Sequence, residues 1–122
     1  MKCHSSHIDS CIDESSKSTM KMRHGAALVY RGRILTRACN ISICDSLKPP
    51  FSSVHAEVHV IRKFLERFPK KWLKHCTLVV IRVDRHGDLR NSLPCKNCHN
   101  FINKNNILKV LYSTECNNPI NH

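Results

Sequence analysis

Acidic side chains are scarce in this chain: 9 Asp+Glu stand against 20 Lys+Arg, leaving a net charge of +11 with the histidines neutral. Such a surface attracts polyanions, nucleic acid first among them, although excess charge can also serve solubility alone. Long apolar stretches are missing as well. Runs such as Leu78-Val79-Val80-Ile81 fall far below the roughly 20 residues that a membrane-spanning helix needs, so no membrane span is expected. Met1 to Thr19 is polar and Ser-rich, without the apolar centre of a secretory signal. Of 8 cysteines only Cys95 and Cys98 have metal-ligand spacing; Cys3, Cys11, Cys39, Cys44, Cys76 and Cys116 are scattered. A disulfide framework is therefore not expected, and the thiols read as reduced in an intracellular compartment, cytoplasmic or nuclear. No internal repeat is visible.

The 122 residues suffice for one domain with a single layered core. Residues 1–20, rich in Ser, Lys and Asp, read as a poorly ordered tail, residues 21–115 as the folded domain, and residues 116–122 as a short C-terminal tail. Ala26 to Tyr30 and Arg33 to Ala38 read as two strands joined by a tight turn at Arg31-Gly32. Asn40 to Ser53 reads as a long loop, since Pro49-Pro50 excludes helix. A helix follows from near Val54, capped by Ser52 or Ser53, with Val60, Ile61, Phe64, Leu65 and Phe68 at helical spacing, and Pro69 ends it. Cys76 to Val83 suits a buried central strand, and His86-Gly87-Asp88 marks a turn. Pro94 starts a second helix that carries Cys95 in its first turn and runs to about Lys104, before a strand at Leu108–Tyr112. The order β-β-α-β-α-β implies an α/β fold: a mixed sheet of about four strands with helices packed on it.

Two short motifs carry the chemistry, His55-Ala56-Glu57 and Pro94-Cys95-Lys96-Asn97-Cys98. Both fall at expected helix starts, where unpaired N–H groups and a partial positive charge favour thiolate over thiol. One imidazole and two thiolates can hold Zn2+ with three protein ligands, which leaves the fourth tetrahedral position for water. Such a water is acidified toward neutrality. Glu57 is then a carboxylate not needed as a ligand, able to move a proton between that water and a leaving nitrogen. The alternative is a closed structural zinc site with His99 or another cysteine as fourth ligand.

These motifs resemble the signature of the cytidine and deoxycytidylate deaminase superfamily, which also includes tRNA adenosine deaminases and nucleic-acid cytidine deaminases. The similarity runs from about Ala26 to Tyr112 and includes the strand order. It implies an α-β-α layered, cytidine deaminase-like fold with His55, Cys95 and Cys98 as zinc ligands and Glu57 as the catalytic proton shuttle. It further implies that Asn40 hydrogen-bonds the substrate's sugar or base and that the backbone N–H of Ala56 reaches the base. The implied reaction is hydrolytic deamination of cytosine to uracil, with ammonia released. A nucleoside, a nucleotide or single-stranded nucleic acid would serve as substrate, and relatives of this kind form homo-oligomers. Adenosine deamination in RNA or tRNA is the alternative enzyme, and a catalytically silent zinc domain that binds nucleic acid is the alternative outside enzymes. Many relatives continue past the last shared strand with a fifth strand and further helices, so the fold is expected to be C-terminally shortened.

The interval Val83 to Leu93, with Gly87, Arg82, Arg85 and Arg90, reads as an added hairpin that either guides phosphates or is a solvated turn. Arg62, Lys63, Arg67, Lys70, Lys71, Lys74 and His75 surround Trp72. That combination suits single-stranded nucleic acid, or else is a solvated helix face with Trp72 packed inward. His59 reads as a pocket-wall or core histidine. Cys3, His4, His7 and Cys11 could bind a second zinc, but a disordered tail is the better reading. Asn40-Ile41-Ser42 is formally a glycosylation sequon that an intracellular chain would not use.

Overall fold

A computed structural model of the chain describes residues 5–18, 23–42, 53–92, 96–113 and 120–121. The expected hairpin is present, with β1 at Arg23–Tyr30 and β2 at Arg33–Cys39. Its turn has φ of 49° at Arg31 and 79° at Gly32. Positive φ at both central positions gives the turn the twist that antiparallel strands require, and Gly32 adopts it without a Cβ penalty. A bulge between Leu28 and Val29 shifts the register. Two short strands follow, β3 (Ile41–Ser42) and β4 (Ser53–Val54), paired antiparallel with each other. Helix α2 is Ala56–Leu65, and a 3-10 helix spans Lys70–His75. The rest is β5 (Thr77–Val83), β6 (Leu89–Arg90), helix α3 (Lys96–Lys104), β7 (Lys109–Tyr112) and β8 (Ile120–Asn121).

Five strands lie in the order β2-β1-β5-β7-β8, and β6 pairs with β5 beside them. The β5–β7 pairing is parallel and the others are antiparallel, so the sheet is mixed. Alternate residues of β1 and β5 point to opposite faces. Ala26, Leu28, Leu78 and Val80 meet Val60, Ile61 and Phe64 of α2 and Ile102 of α3 on one side. Ala27, Val29, Val79 and Ile81 meet Cys11, Ile8 and Ile12 on the other. Covering both faces explains the nearly continuous apolar run of β5.

Three expectations are corrected. Residues within the supposed N-terminal tail form helix α1, Ser5–Ser15, which covers the second face. Ile8, Cys11 and Ile12 share one side of it, and Gly25 of β1 lets its backbone approach, since a Cβ there would collide with the Cys11 carbonyl. His7 Nε2 donates to the Gly32 carbonyl at 3.0 Å, and buried Glu14 faces Arg37 Nε at 3.3 Å and Lys17 Nζ at 3.0 Å. The cap of α2 is His55 rather than Ser52 or Ser53, because the Ser53–Val54 backbone is engaged with β3. The strand number is also revised from four: Ile120–Asn121 adds a fifth strand to the main order, antiparallel to β7.

The hairpin after β5 is organised by Asp84. Its Oδ1 accepts from the amides of His86 at 2.8 Å and Asp88 at 3.0 Å, and its Oδ2 accepts from Arg90 Nε at 2.9 Å. The Asp88 amide first, then Arg90 and the His86 amide, outweigh a desolvation cost and hold the carboxyl at about 2. A folded pKa below the unfolded one means that the turn's stabilisation is complete above the ordinary aspartate pKa of about 3.9. It is lost as pH falls through about 2. Amide exchange should show His86 and Asp88 losing protection across that window, and Asp84→Asn should remove the pH dependence.

Candidate active site

The N-cap of α2 places His55 at the mouth of the site. Its backbone is extended, with φ −68° and ψ 151°, and its side chain makes no capping hydrogen bond. The ring turns instead to α3, where Nδ1 lies 3.0 Å from Cys98 Sγ. Cys98 is buried while His55 is exposed, so the pair runs from solvent into the interior. Glu57, one residue into α2 from Ala56, is only 4% exposed and shares a hydrogen bond with the Cys98 side chain. Burial pushes its carboxyl above the ordinary range, against the opposing pull of its backbone amide, of His55 and of Cys98. A carboxyl whose neutral form is favoured by burial is suited to carrying a proton between two partners.

Ala56 is fully buried in the first turn of α2, where amides have no acceptor within the helix. Asn40 follows β2 and is buried; its Oδ1 accepts from the His24 amide at 2.9 Å, which fixes the plane of its side-chain amide. His59 Nδ1 donates to the Cys39 carbonyl at 2.8 Å and so ties the second turn of α2 to the strand end that carries Asn40. His59 is thus a wall residue with a structural bond.

The Ser92–Ser113 contact was not anticipated from sequence. Ser113 Oγ donates to the Arg90 carbonyl at 2.6 Å, Ser92 Oγ donates to the Val80 carbonyl at 2.9 Å, and the two hydroxyls lie 3.0 Å apart. This network fastens the segment that leads into α3. Two isolated serines carry no periodic signal, so nothing in the sequence pointed to it.

The structure thus brings His55, Glu57 and Cys98 together and sets Asn40 and Ala56 on the elements around them. Cys95 lies outside the described residues, as do Cys3 and His4. Among the described residues no three His, Cys, Asp or Glu side chains form a metal cluster. His7 and Cys11 are committed to packing α1, with Cys11 Sγ directed at the Val79 carbonyl. Among the described residues, no helix is long and apolar enough to cross a membrane. The donor chemistry at His55 and Cys98 fits zinc. A nitrogen and a sulfur on one zinc ion lie about 3.5 Å apart, and the 3.0 Å observed is within about half an ångström of that.

A sequence model of the cytidine and deoxycytidylate deaminase zinc-binding region matches residues 1–114. The chain belongs to this family. No curated protein sequence matches it. Among solved structures, this deaminase-family chain is similar to cytidine deaminase from Burkholderia pseudomallei, with TM-score 0.75 and 16% identity, covering 98% of this chain and 91% of that one. It is also similar to dCMP deaminase from the cyanophage S-TIM5 in apo form, with TM-score 0.70 and 21% identity, covering 90% and 81%. The cyanophage enzyme in complex with dCMP and dUMP gives TM-score 0.60 and 17% identity, covering 92% and 84%. At these identities the likeness establishes the fold: an open α/β sheet of the cytidine deaminase type.

Proposed function

We propose that this chain is a zinc-dependent hydrolytic deaminase that converts a cytosine base, on a nucleoside, nucleotide or nucleic acid, to uracil and ammonia. The observation that carries the reading is the meeting of His55 and Glu57, both from the N-terminal end of α2, with the sulfur of Cys98 on α3. His55, Cys98 and Cys95 would hold the zinc ion. When bound, zinc supplies a Lewis acid that makes water reactive at neutral pH.

The remaining work falls to side chains of this protein. Glu57 Oε takes a proton from water and passes it on. Of the two protons of that water, one reaches the ring nitrogen and one the departing amine, so ammonia leaves neutral and the oxygen stays on the ring as the carbonyl. Its burial keeps bulk water from competing for that proton. Asn40 donates to the sugar or base from an amide held by the His24 N–H. The first-turn amide of Ala56 offers the base a donor. The basic surface draws in a phosphate-bearing substrate. Three similar structures, two of a dCMP deaminase (one in complex with dCMP and dUMP) and one of a cytidine deaminase, support substrates of this class. An assembly of several copies would accord with relatives of this type.

Mass spectrometry tests the reading directly. Zinc-loaded protein would be offered cytidine, deoxycytidine, their monophosphates, single-stranded DNA and RNA, and tRNA. A uracil product from any cytosine substrate supports it. Deamination confined to adenosine in tRNA would replace it with the RNA adenosine reading, and no product from any of them would contradict both. Removal of a ligand has a separate readout: Cys98→Ser should lower bound zinc from one equivalent toward none by elemental analysis, and turnover should fall with it.

A further inference from the structure

The sequence left open whether Trp72 packs inward or faces solvent. It faces solvent, with 42% of its surface exposed, while its neighbour Leu73 is fully buried. Trp72 and Tyr30, together with Lys71, Lys74 and His75, line a pocket of about 390 Å³. The described residues that line it include no acid, and among the described residues Lys71 and Lys74 make no ion pair.

The aromatic walls are braced from behind. Trp72 lies 5.6 Å from Phe68, which stacks on Phe64 at 4.8 Å, so a ladder rooted in the core supports the indole. Tyr30 meets His75 edge-on at 6.4 Å, and the Arg31 guanidinium sits 5.3 Å from the Tyr30 ring centroid. Rings held rigid with one side open lose little entropy when a flat partner stacks on them. Lysines beside such rings supply the charge that a phosphate attached to that partner would need.

The pocket is separate from the cluster at His55. Tyr30 ends β1, whereas Asn40 bonds to His24 near its start. Eight strand residues separate the two ends by roughly 25 Å. The 3-10 helix likewise follows the C-terminal end of α2, the end away from Glu57.

We propose that the Tyr30–Trp72 pocket is a second, non-catalytic binding site for single-stranded nucleic acid, with a base stacked on Trp72 and its phosphates beside Lys71 and Lys74. The assignment does not depend on the deaminase reading. A polymer fits better than a free nucleotide because exposed Lys70, Arg31 and Arg33 extend the positive surface beyond the pocket.

Trp72 is the single tryptophan of the chain, so its emission reports on this pocket alone. The full chain would be titrated with a twelve-residue oligothymidylate, whose base has no exocyclic amine and cannot be deaminated. Quenching of Trp72 that weakens steeply with salt is expected. Fluorescence anisotropy of the labelled oligomer should show roughly tenfold weaker binding to Trp72→Leu, which keeps an apolar contact with Phe68. Lys71→Gln with Lys74→Gln should flatten the salt slope by roughly 1.4. The proposal is overturned by unquenched emission, by equal affinity in Trp72→Leu, or by equal displacement with polyglutamate. Quenching by thymidine monophosphate as effective as by the oligomer would also overturn it, in favour of a mononucleotide pocket. Loss of deamination with oligothymidylate binding intact would count against the catalytic reading alone.

Discussion

Glu57→Gln is expected to reduce turnover by about a thousandfold or more while leaving zinc bound and the fold at least as stable. Glutamine keeps the size of the side chain and an oxygen that can accept from Cys98. It cannot accept and release a proton, and positioned acid–base groups contribute about 10²–10⁴-fold to rate. Stability should move the other way. Glu57 is 4% exposed and its carboxyl is raised by burial, so the ionised form is the unfavourable one in the folded protein, and a neutral amide avoids that penalty. Turnover assays beside thermal melts and zinc analysis would check this. A variant that loses activity because it loses zinc or unfolds would show that Glu57 is structural. Retained turnover would remove it from the mechanism.

The second large effect lies on the opposite face of the sheet. Gly25→Ala should destabilise the protein by about 3 kcal/mol, roughly 10 °C in melting temperature, because the new Cβ would collide with backbone rather than with a side chain that can rotate. Relief requires α1 to lift from β1, exposing Ala27, Val29, Val79 and Ile81, which Cys11, Ile8 and Ile12 cover. Since the clash is with the Cys11 carbonyl, adding Cys11→Ala should not rescue the variant. Limited proteolysis should cut within residues 5–18 sooner than in the wild type. An unchanged melting temperature in Gly25→Ala would show that α1 does not dock on Gly25 in solution.

Which parts of this molecule could be read from residues alone follows from where the signal resides. The β1–β2 hairpin was legible because a Gly-containing turn sits between two apolar runs, and β5 because burial on both faces makes it apolar throughout. Helix α2 was legible from its 3.6-residue spacing, and the approach of His55 to Cys98 was legible because each falls in a short motif at a helix start. Helix α1 was not. Ser5–Ser15 has few apolar residues, and its stability comes from a partner 14 residues ahead of Cys11 in sequence, Gly25, whose contribution is the absence of a side chain. Strands β3, β4, β6 and β8 have two residues each, too few for any alternation to show. The cap of α2 departs from local preference for a related reason: serine is a good cap in isolation, but pairing between β3 and β4 engages Ser53. The exposure of Trp72 follows from the 3-10 turn that buries Leu73, and six residues after Pro69 are too few for any periodicity to show which of the two faces inward.

The most direct test of the central claim is to run the deamination in water enriched in heavy oxygen and to weigh the base that forms. Hydrolysis organised by His55, Glu57 and Cys98 predicts that one heavy oxygen atom enters each uracil, and that the labelled product is absent with Glu57→Gln. Uracil formed without the label, or formed equally by the variant, would contradict the account.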